Sequence, residues 1–366
     1  MYTHNAKISI RQTKLLLILQ MFNMSMLIIP RIAAEIAGHD GYLLPIFGFC
    51  IGSVYIYLIS KLLDRFPGEG LDTIAPKVMS KWIGLLIVAV YILKLLISAG
   101  LEIRLFAEMV SQVLLPQTPL PVIILLLLFT VYYLIKSGLE ASGRMAEILA
   151  YFVFVPLIFI LLLVLIKPDY GQLLPILQSR PRSLAIGAYY ISITFMPLEF
   201  ILIIGALVNK PSKVRKVCLY AIGTISVLEI IIIALTFIGV GVATSSTQIW
   251  PVLTLMQSIQ LPGSVLENQE ILMMSWWIMS IYMYISGSLY IAGLTLSKVC
   301  HFRRQNVTVL PFIPVVFIIA MIPGSLGESY AKLILFNFYT GSLFLFVVPL
   351  LLLVVAKLRK VGGQND

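Results

Sequence analysis

From about residue 9 to about residue 356 the sequence alternates long apolar runs with short clusters of Gly, Pro and charge. Crossing a hydrocarbon core of about 30 Å takes about 20 helical residues. In lipid, only helices and closed barrels satisfy all their own backbone hydrogen bonds. Runs of this length predict an all-α integral membrane protein. Composition agrees: 60% of the 366 residues are hydrophobic and 11% are charged, against about 25% charged in soluble domains. No stretch remains for a soluble domain of useful size, so 1–366 reads as a single transmembrane domain.

Hydropathy predicts ten segments, at about 9–37, 42–63, 83–114, 119–136, 144–166, 184–207, 215–243, 271–298, 309–323 and 334–356. A cytoplasmic N-terminus gathers most of the 26 Lys and Arg on one side. These are Lys7, Arg11, Lys14, Lys61, Arg65, Lys77, Lys81, Lys136, Arg144, Lys210, Lys213, Arg215, Lys216, Lys298, Arg303, Arg304, Lys357, Arg359 and Lys360. The other side keeps only Lys167, Arg180, Arg182 and Lys332 in its loops. Because Lys and Arg concentrate in cytoplasmic loops, both termini are expected inside. The first apolar run follows Lys7, Arg11 and Lys14 as a signal peptide would, but no small-residue cleavage site follows, and it is expected to persist. The net charge of +10 reads as basic loops facing anionic lipid rather than as a nucleic-acid surface.

Two connections show helical periodicity. Leu71, Ile74, Val78 and Trp82 oppose Asp72, Lys77 and Lys81, as in a helix lying on the membrane surface. Val252, Leu255, Met256 and Ile259 repeat likewise and fit either a lid or a cover for the bundle end.

The first segment is interrupted. As one straight helix, 8–37 would run about 45 Å. Asn23 and Ser25 bring polarity to mid-depth, and Pro30 has no N–H for the carbonyl of Met26. Segment six repeats the pattern in YYISITFMPLEFILIIGA, where Pro197 frees the carbonyl of Ile193 and Ser192, Thr194 and Glu199 lie nearby. Freed carbonyls in lipid are tolerated only beside protein or a wet cavity. Breaks in the first and sixth of ten spans are where a protein built of two five-span inverted repeats places them, here about 9–166 and 184–356, although no sequence repeat links the halves.

Intramembrane charge is costly and therefore informative. Arg31 and Glu35, and Arg104 and Glu108, are four apart and can pair on one helix face. Glu102 points away from Arg104, nearer the face of Lys94. Glu199 has no cation close in sequence. Glu229 is equally unexplained, with Lys94 as a conceivable partner across the bundle. In segment eight Ser286 and Tyr290 share a face, and Gly287 permits close approach of a backbone or ligand. Gly48 and Gly52 form a small-residue pair suited to helix packing. Cys50, Cys218 and Cys300 have no paired spacing, and with His4, His39 and His301 scattered they define no metal site. No phosphate loop or nucleophile motif is present. An enzyme is the least expected class, and no cofactor is expected.

The opening ISIRQTKLLLILQMF, the run from Pro30 to Gly41, the loop PGEGLDTIAPKVMSKWIG and the FMPLEF stretch resemble the B subunits of bacterial spore germinant receptors, across essentially the whole chain. The resemblance implies the ten-helix LeuT-type fold of the amino acid-polyamine-organocation superfamily. It further implies a subunit of the spore inner membrane that works with A and C subunits and binds a small nutrient, an amino acid or a sugar, to trigger germination. The residues it places at the ligand are Asn23, Met24 and Ser25 in span one, Ser98 and Leu101 in span three, Phe195, Met196 and Leu198 in span six, and Ser286 and Tyr290 in span eight. Arg31, Glu35, Glu102, Arg104, Glu108, Glu199 and Glu229 are the expected charge and gating residues. Superfamily members usually carry glycines at the first break, whereas this chain has Asn23, Met24, Ser25 and Met26, a poorer cradle for a carboxylate. No lysine lies between Met145 and Ile166 to stand in for a sodium ion. The competing functions are a secondary amino acid transporter of the same fold and a ligand-gated ion or water conduit.

Overall fold

The computed structural model describes residues 8–23, 25–165, 168–258, 269–302 and 308–363 and, of Ser25, Ile160 and residues 269–273, the backbone alone. His4, Lys7, Met24, Lys167, Ile259, Arg303, Arg304 and the side chain of Ser25, all named above, lie outside this description. Among the described residues the chain is helical throughout, with no extended pairing beyond one isolated bridge between Ile8 and Val208.

The first predicted segment is two helices, α1 (Ile10–Met21) and α2 (Ser25–Ala37). A capping box starts α1: the Ser9 hydroxyl accepts from the Gln12 amide and the Gln12 side chain accepts from the Ser9 amide, which satisfies two otherwise unpaired donors. A 3₁₀ turn, Gly38–Leu43, leads into α3 (Leu44–Arg65), followed by the short α4 (Leu71–Val78) and the long α5 (Lys81–Val113). The fourth and fifth predicted segments lie on one helical run, α6 (Leu120–Val164). Its 45 residues would be about 67 Å long if straight, roughly twice the core of a bilayer. Gly138, at φ 90° and ψ 177°, kinks it in a backbone conformation that a side chain would strain.

The sixth segment comprises α7 (Pro181–Ile193), a 3₁₀ turn Met196–Phe200 and the short α8 (Ile201–Ile204), with a bend of 48° at the break. Then come α9 (Val214–Val240), α10 (Val242–Thr247), α11 (Pro251–Ser258), α12 (Gln269–Val299), α13 (Phe312–Met321), α14 (Leu326–Thr340) and α15 (Val348–Leu358). Among the described residues six helical stretches are long and apolar enough to cross a membrane, and the bent sixth segment is a seventh. Leu126, Phe129, Phe152 and Val155 of α6 are exposed on the outside of the bundle. That is the surface expected of a chain whose exterior is wetted by lipid rather than water. The protein is a multi-pass membrane protein.

The structure changes the reading of the two periodic connections. Leu71, Ile74 and Val78 do not rest on lipid; all three are fully buried, and α4 packs on α5. Gly84 makes that contact possible, because a Cβ there would meet backbone atoms of Pro76 at 2.3 Å. Asp72 is likewise buried and receives Lys298 at 3.3 Å. In α11, Val252, Leu255 and Met256 are buried against neighbouring helices, chiefly α9, α2 and α12.

The two broken segments are joined at one end. The amide of Ile8 donates to the carbonyl of Leu207 (3.1 Å) and the amide of Asn209 to the carbonyl of Ile8 (3.1 Å), clipping the start of the first segment to the end of the sixth. Because backbone atoms cannot yield as a side chain does, Gly84→Ala is expected to destabilise the protein by about 1–3 kcal/mol, the usual cost of overpacking. A lowered thermal midpoint in detergent, measured against a Gly327→Ala control that lies in a helix and meets no neighbour, would show it.

Candidate functional site

Segment one leaves the helix at Phe22 (φ −80°, ψ 55°), earlier than Pro30 suggests. Pro30 sits inside α2, in its second turn, and does not end it. Pro30 therefore costs α2 the bond to the Met26 carbonyl without ending it, and the helix stops instead at Phe22 and Asn23. The carbonyl of Asn23 accepts from the Met26 amide (3.2 Å) and from the indole Nε1 of Trp277 on α12 (3.0 Å). The Trp277 ring also stacks on Phe22, with centroids 4.8 Å apart.

The second break is closed in the same manner from another helix. The Tyr91 hydroxyl of α5 donates to the carbonyl of Glu199 (3.1 Å). One turn along, Lys94 forms an ion pair with the Glu199 carboxylate, both side chains 3% exposed. The Phe344 ring lies 5.8 Å from the Lys94 ammonium and 4.8 Å from the Tyr91 ring. Thus Glu199, which has no cation near it in sequence, finds one 105 residues away. Lys94 therefore does not pair with Glu229. Glu229 instead meets the Thr194 hydroxyl at 2.6 Å, directly behind the sixth-segment break.

The remaining charges divide. Arg31 reaches Glu35 at 2.7 Å, and Arg104 grips Glu108 through Nε (3.0 Å) and Nη2 (2.7 Å) while donating from Nη1 to the carbonyl of Ala320 (3.3 Å). Glu102 is fully buried, and neither of its oxygens has a hydrogen-bond partner.

Two small cavities flank the breaks. One lies between α1, α6, α8 and α12 and is lined by Gln20, Ser142, Phe200, Ser286, Gly287 and Tyr290 among others; its volume is about 10 Å³, room for about one water. The other, about 30 Å³, lies between α2, α7 and α14 and includes Ile29, Tyr190, Thr194, Asn337 and Phe338. Of the ligand residues expected from the sequence, Ser286 and Tyr290 meet on the first cavity. Asn23, Phe195, Met196 and Leu198 are buried in the breaks themselves, and Ser98 and Leu101 are buried on α5. The Ser286 hydroxyl donates within its own helix to the carbonyl of Met283 (3.1 Å).

Sequence reading missed Gln20. Its side chain is buried in the first cavity with Oε1 unpartnered, and Gly287 makes room for it, since a Cβ there would stand 2.1 Å from Gln20 Nε2. The signal was available: Gln20 is a lone amide in the apolar run LLLILQMF. Trp277 and Tyr91 had no such signal, because an aromatic donor in an apolar helix reads as ordinary core.

Broken helices held by neighbouring helices also occur in the solved structures that this fold resembles. The fold matches that of MHP1, a nucleobase-cation-symport-1 family transporter solved in a closed conformation with bromovinylhydantoin bound. The TM-score is 0.69 at 12% identity, over 91% of this chain and 78% of that one. It also matches a Na⁺-coupled sialic acid symporter in a substrate-bound outward-open state, with TM-score 0.67 and 11% identity over 94% and 79%. These likenesses define the class, a membrane protein of LeuT-type transporter fold. Residues 7–329 match the spore germination protein family (Spore_permease), and the chain belongs to it. Relatives from Bacillus subtilis (strain 168) include spore germination protein YndE, 27% identical over the whole of both chains, and spore germination protein A2, 27% identical over 88% of this chain and 87% of that one. Spore germination protein B2 is 22% identical over 88% and 89%.

Removing one partner of a buried ion pair strands the other charge, at about 3–5 kcal/mol, while replacing both by apolar residues is often neutral. Lys94→Leu or Glu199→Leu alone is therefore expected to reduce the yield of monodisperse protein sharply. The double variant Lys94→Leu/Glu199→Leu should recover much of it, as size-exclusion profiles of the three would reveal.

Proposed function

We propose that this chain is the nutrient-sensing transmembrane subunit of a spore germinant receptor. It binds a small germinant, of the amino acid or sugar class, between spans one, three, six and eight, and passes the resulting change of conformation to A and C subunits in the spore inner membrane. In this reading the ten predicted segments are ten crossings with both termini in the cytoplasm, arranged as inverted repeats at about 9–166 and 184–356.

The observation that carries the proposal is the pair of water-sized cavities on either side of the breaks. Neither admits a nutrient as it stands, so ligand entry at either one requires a second, more open conformation. A ligand that prefers one conformation shifts the population toward it, by no more than its difference in affinity for the two. That difference is the signal a partner subunit would read. Gln20, Ser286 and Tyr290 supply polar groups on the first cavity, while Asn23, Ser98, Leu101, Phe195, Met196 and Leu198 form the buried surroundings that would rearrange. Side chains at 23–26, in place of glycines, favour a ligand that does not depend on backbone amides for a carboxylate.

The fold likeness to two symporters favours a second reading, a secondary transporter for the same class of solute. The two readings part in an uptake assay. Radiolabelled germinant accumulating in proteoliposomes that contain this chain alone would establish transport and sink a purely sensory role.

For the site, spores carrying Gln20→Ala or Tyr290→Ala are expected to need roughly tenfold or more germinant for half-maximal response, about 1.4 kcal/mol or more of lost binding, with normal amounts of the subunit on immunoblots. Unchanged dose–response curves for every germinant that the receptor serves would refute the placement of the ligand on this cavity.

A further inference from the structure

The most extensive helix pairing in the bundle is that of α5 with α12, and its buried face is unexpectedly polar. Residues four apart share a helix face, which aligns Ser98 with Glu102 on α5, and Ser280, Tyr284 and Ser288 on α12. Glu102, Ser280 and Ser288 are fully buried and Ser98 is 2% exposed. Neither oxygen of Glu102 and none of the three serine hydroxyls makes a hydrogen bond of ordinary geometry. The Tyr284 phenol sits among them, beside Ser98 and Ser288 and within electrostatic range of both Glu102 and Glu199.

The other charges around Glu102 are engaged elsewhere. On its own helix Lys94 is bound to Glu199, and Arg104 to Glu108. On α12, Lys298 is held by Asp72. On α6, Arg144 pairs with Glu140, and Glu147 with Arg11. On α14, Lys332 pairs with Glu328, and α13 has no titratable side chain. On α4, Lys77 pairs with Glu69. Tyr284 is the titratable group that faces it.

An ionised carboxylate only accepts hydrogen bonds. Buried without a donor or cation, it is among the costliest groups a protein interior can hold, and such a group normally neutralises. A hard metal ion would gather about six oxygens, most often from several carboxylates, whereas among the described residues no three His, Cys, Asp or Glu side chains are grouped to hold one. A proton needs one oxygen.

We propose that Glu102 is a proton-binding site in the membrane interior, neutral in this conformation and discharged when α5 and α12 move apart. On discharge the carboxyl O–H bond breaks, the proton passes to water entering the seam, and the carboxylate left behind takes hydrogen bonds from the Ser98 and Tyr284 hydroxyls. Tyr284, also within range of Glu199, is a positioning residue that links this site to the ion pair at the sixth-segment break. Proton binding and the opening that admits a nutrient are then two readouts of one equilibrium. The proposal rests on the sensor reading only in requiring a second conformation.

Infrared spectroscopy of the purified full-length chain in lipid nanodiscs, with protons as the only ligand, tests it without any germinant. The carbonyl stretch of a protonated, non-hydrogen-bonded carboxyl is expected at neutral pH. It should be absent from Glu102→Gln and from Glu102→Leu, the latter keeping the test valid if the amide disturbs folding. It should persist in Glu229→Gln, the control for the other buried carboxyl. It should be lost at alkaline pH as the carboxylate forms, and at a higher pH in Tyr284→Phe, whose ring has no hydroxyl to donate to that carboxylate. Spectra of Glu102→Gln and Glu102→Leu indistinguishable from the parent would overturn the proposal. So would loss of the band on adding sodium at constant pH, which would make the seam a metal-ion site. Since no nutrient enters the measurement, failure of the germinant pocket assignment leaves its outcome unaffected.

Discussion

A helix that stops in the middle of a bilayer exposes carbonyls that no water is there to solvate, and the architecture of this chain follows from how those carbonyls are answered. Trp277 answers the first break and Tyr91 the second, each from a different unbroken helix. The Lys94–Glu199 pair, deeply buried one turn from Tyr91, fixes the second break from the same side. Because the donors come from α12 and α5, a change of shape at either break must break or carry with it a hydrogen bond to one of those helices.

Much of the fold was legible in the sequence, for a definite reason. The bilayer imposes a length on each crossing, so hydropathy, Gly and Pro locate the segments, and the interruptions in the first and sixth stand out against apolar surroundings. The 3.6-residue period also placed Arg31 on Glu35 and Arg104 on Glu108 without knowledge of tertiary structure, as local spacing allows. What could not be read was pairing across the bundle. Lys94 lies 105 residues from Glu199, and Thr194 lies 35 from Glu229. No periodicity connects such positions. Pro30 misled for a related reason: proline marks where a helix can break, whereas the break fell where Trp277 could satisfy it.

The candidate site was legible only in part. Ser286, Gly287 and Tyr290 were found because small and hydroxyl residues interrupt an apolar helix, and they do line a cavity. Ser98 and Glu102 share a helical face, but a sequence cannot tell whether their polar atoms are satisfied. That depends on α12, whose own serines and tyrosine read as packing residues. The seam they form, like the cavity beside it, exists only once the two helices are placed together.

The bridge between Ile8 and Val208 has a different kind of consequence. It is made of main-chain atoms alone, so it ties the near ends of the two broken segments whatever side chains stand there. Scanning substitutions to alanine would pass over it in silence, and only a residue lacking an amide hydrogen could cut it. The linkage between the two broken segments is thus written in the backbone, beyond the reach of most mutations.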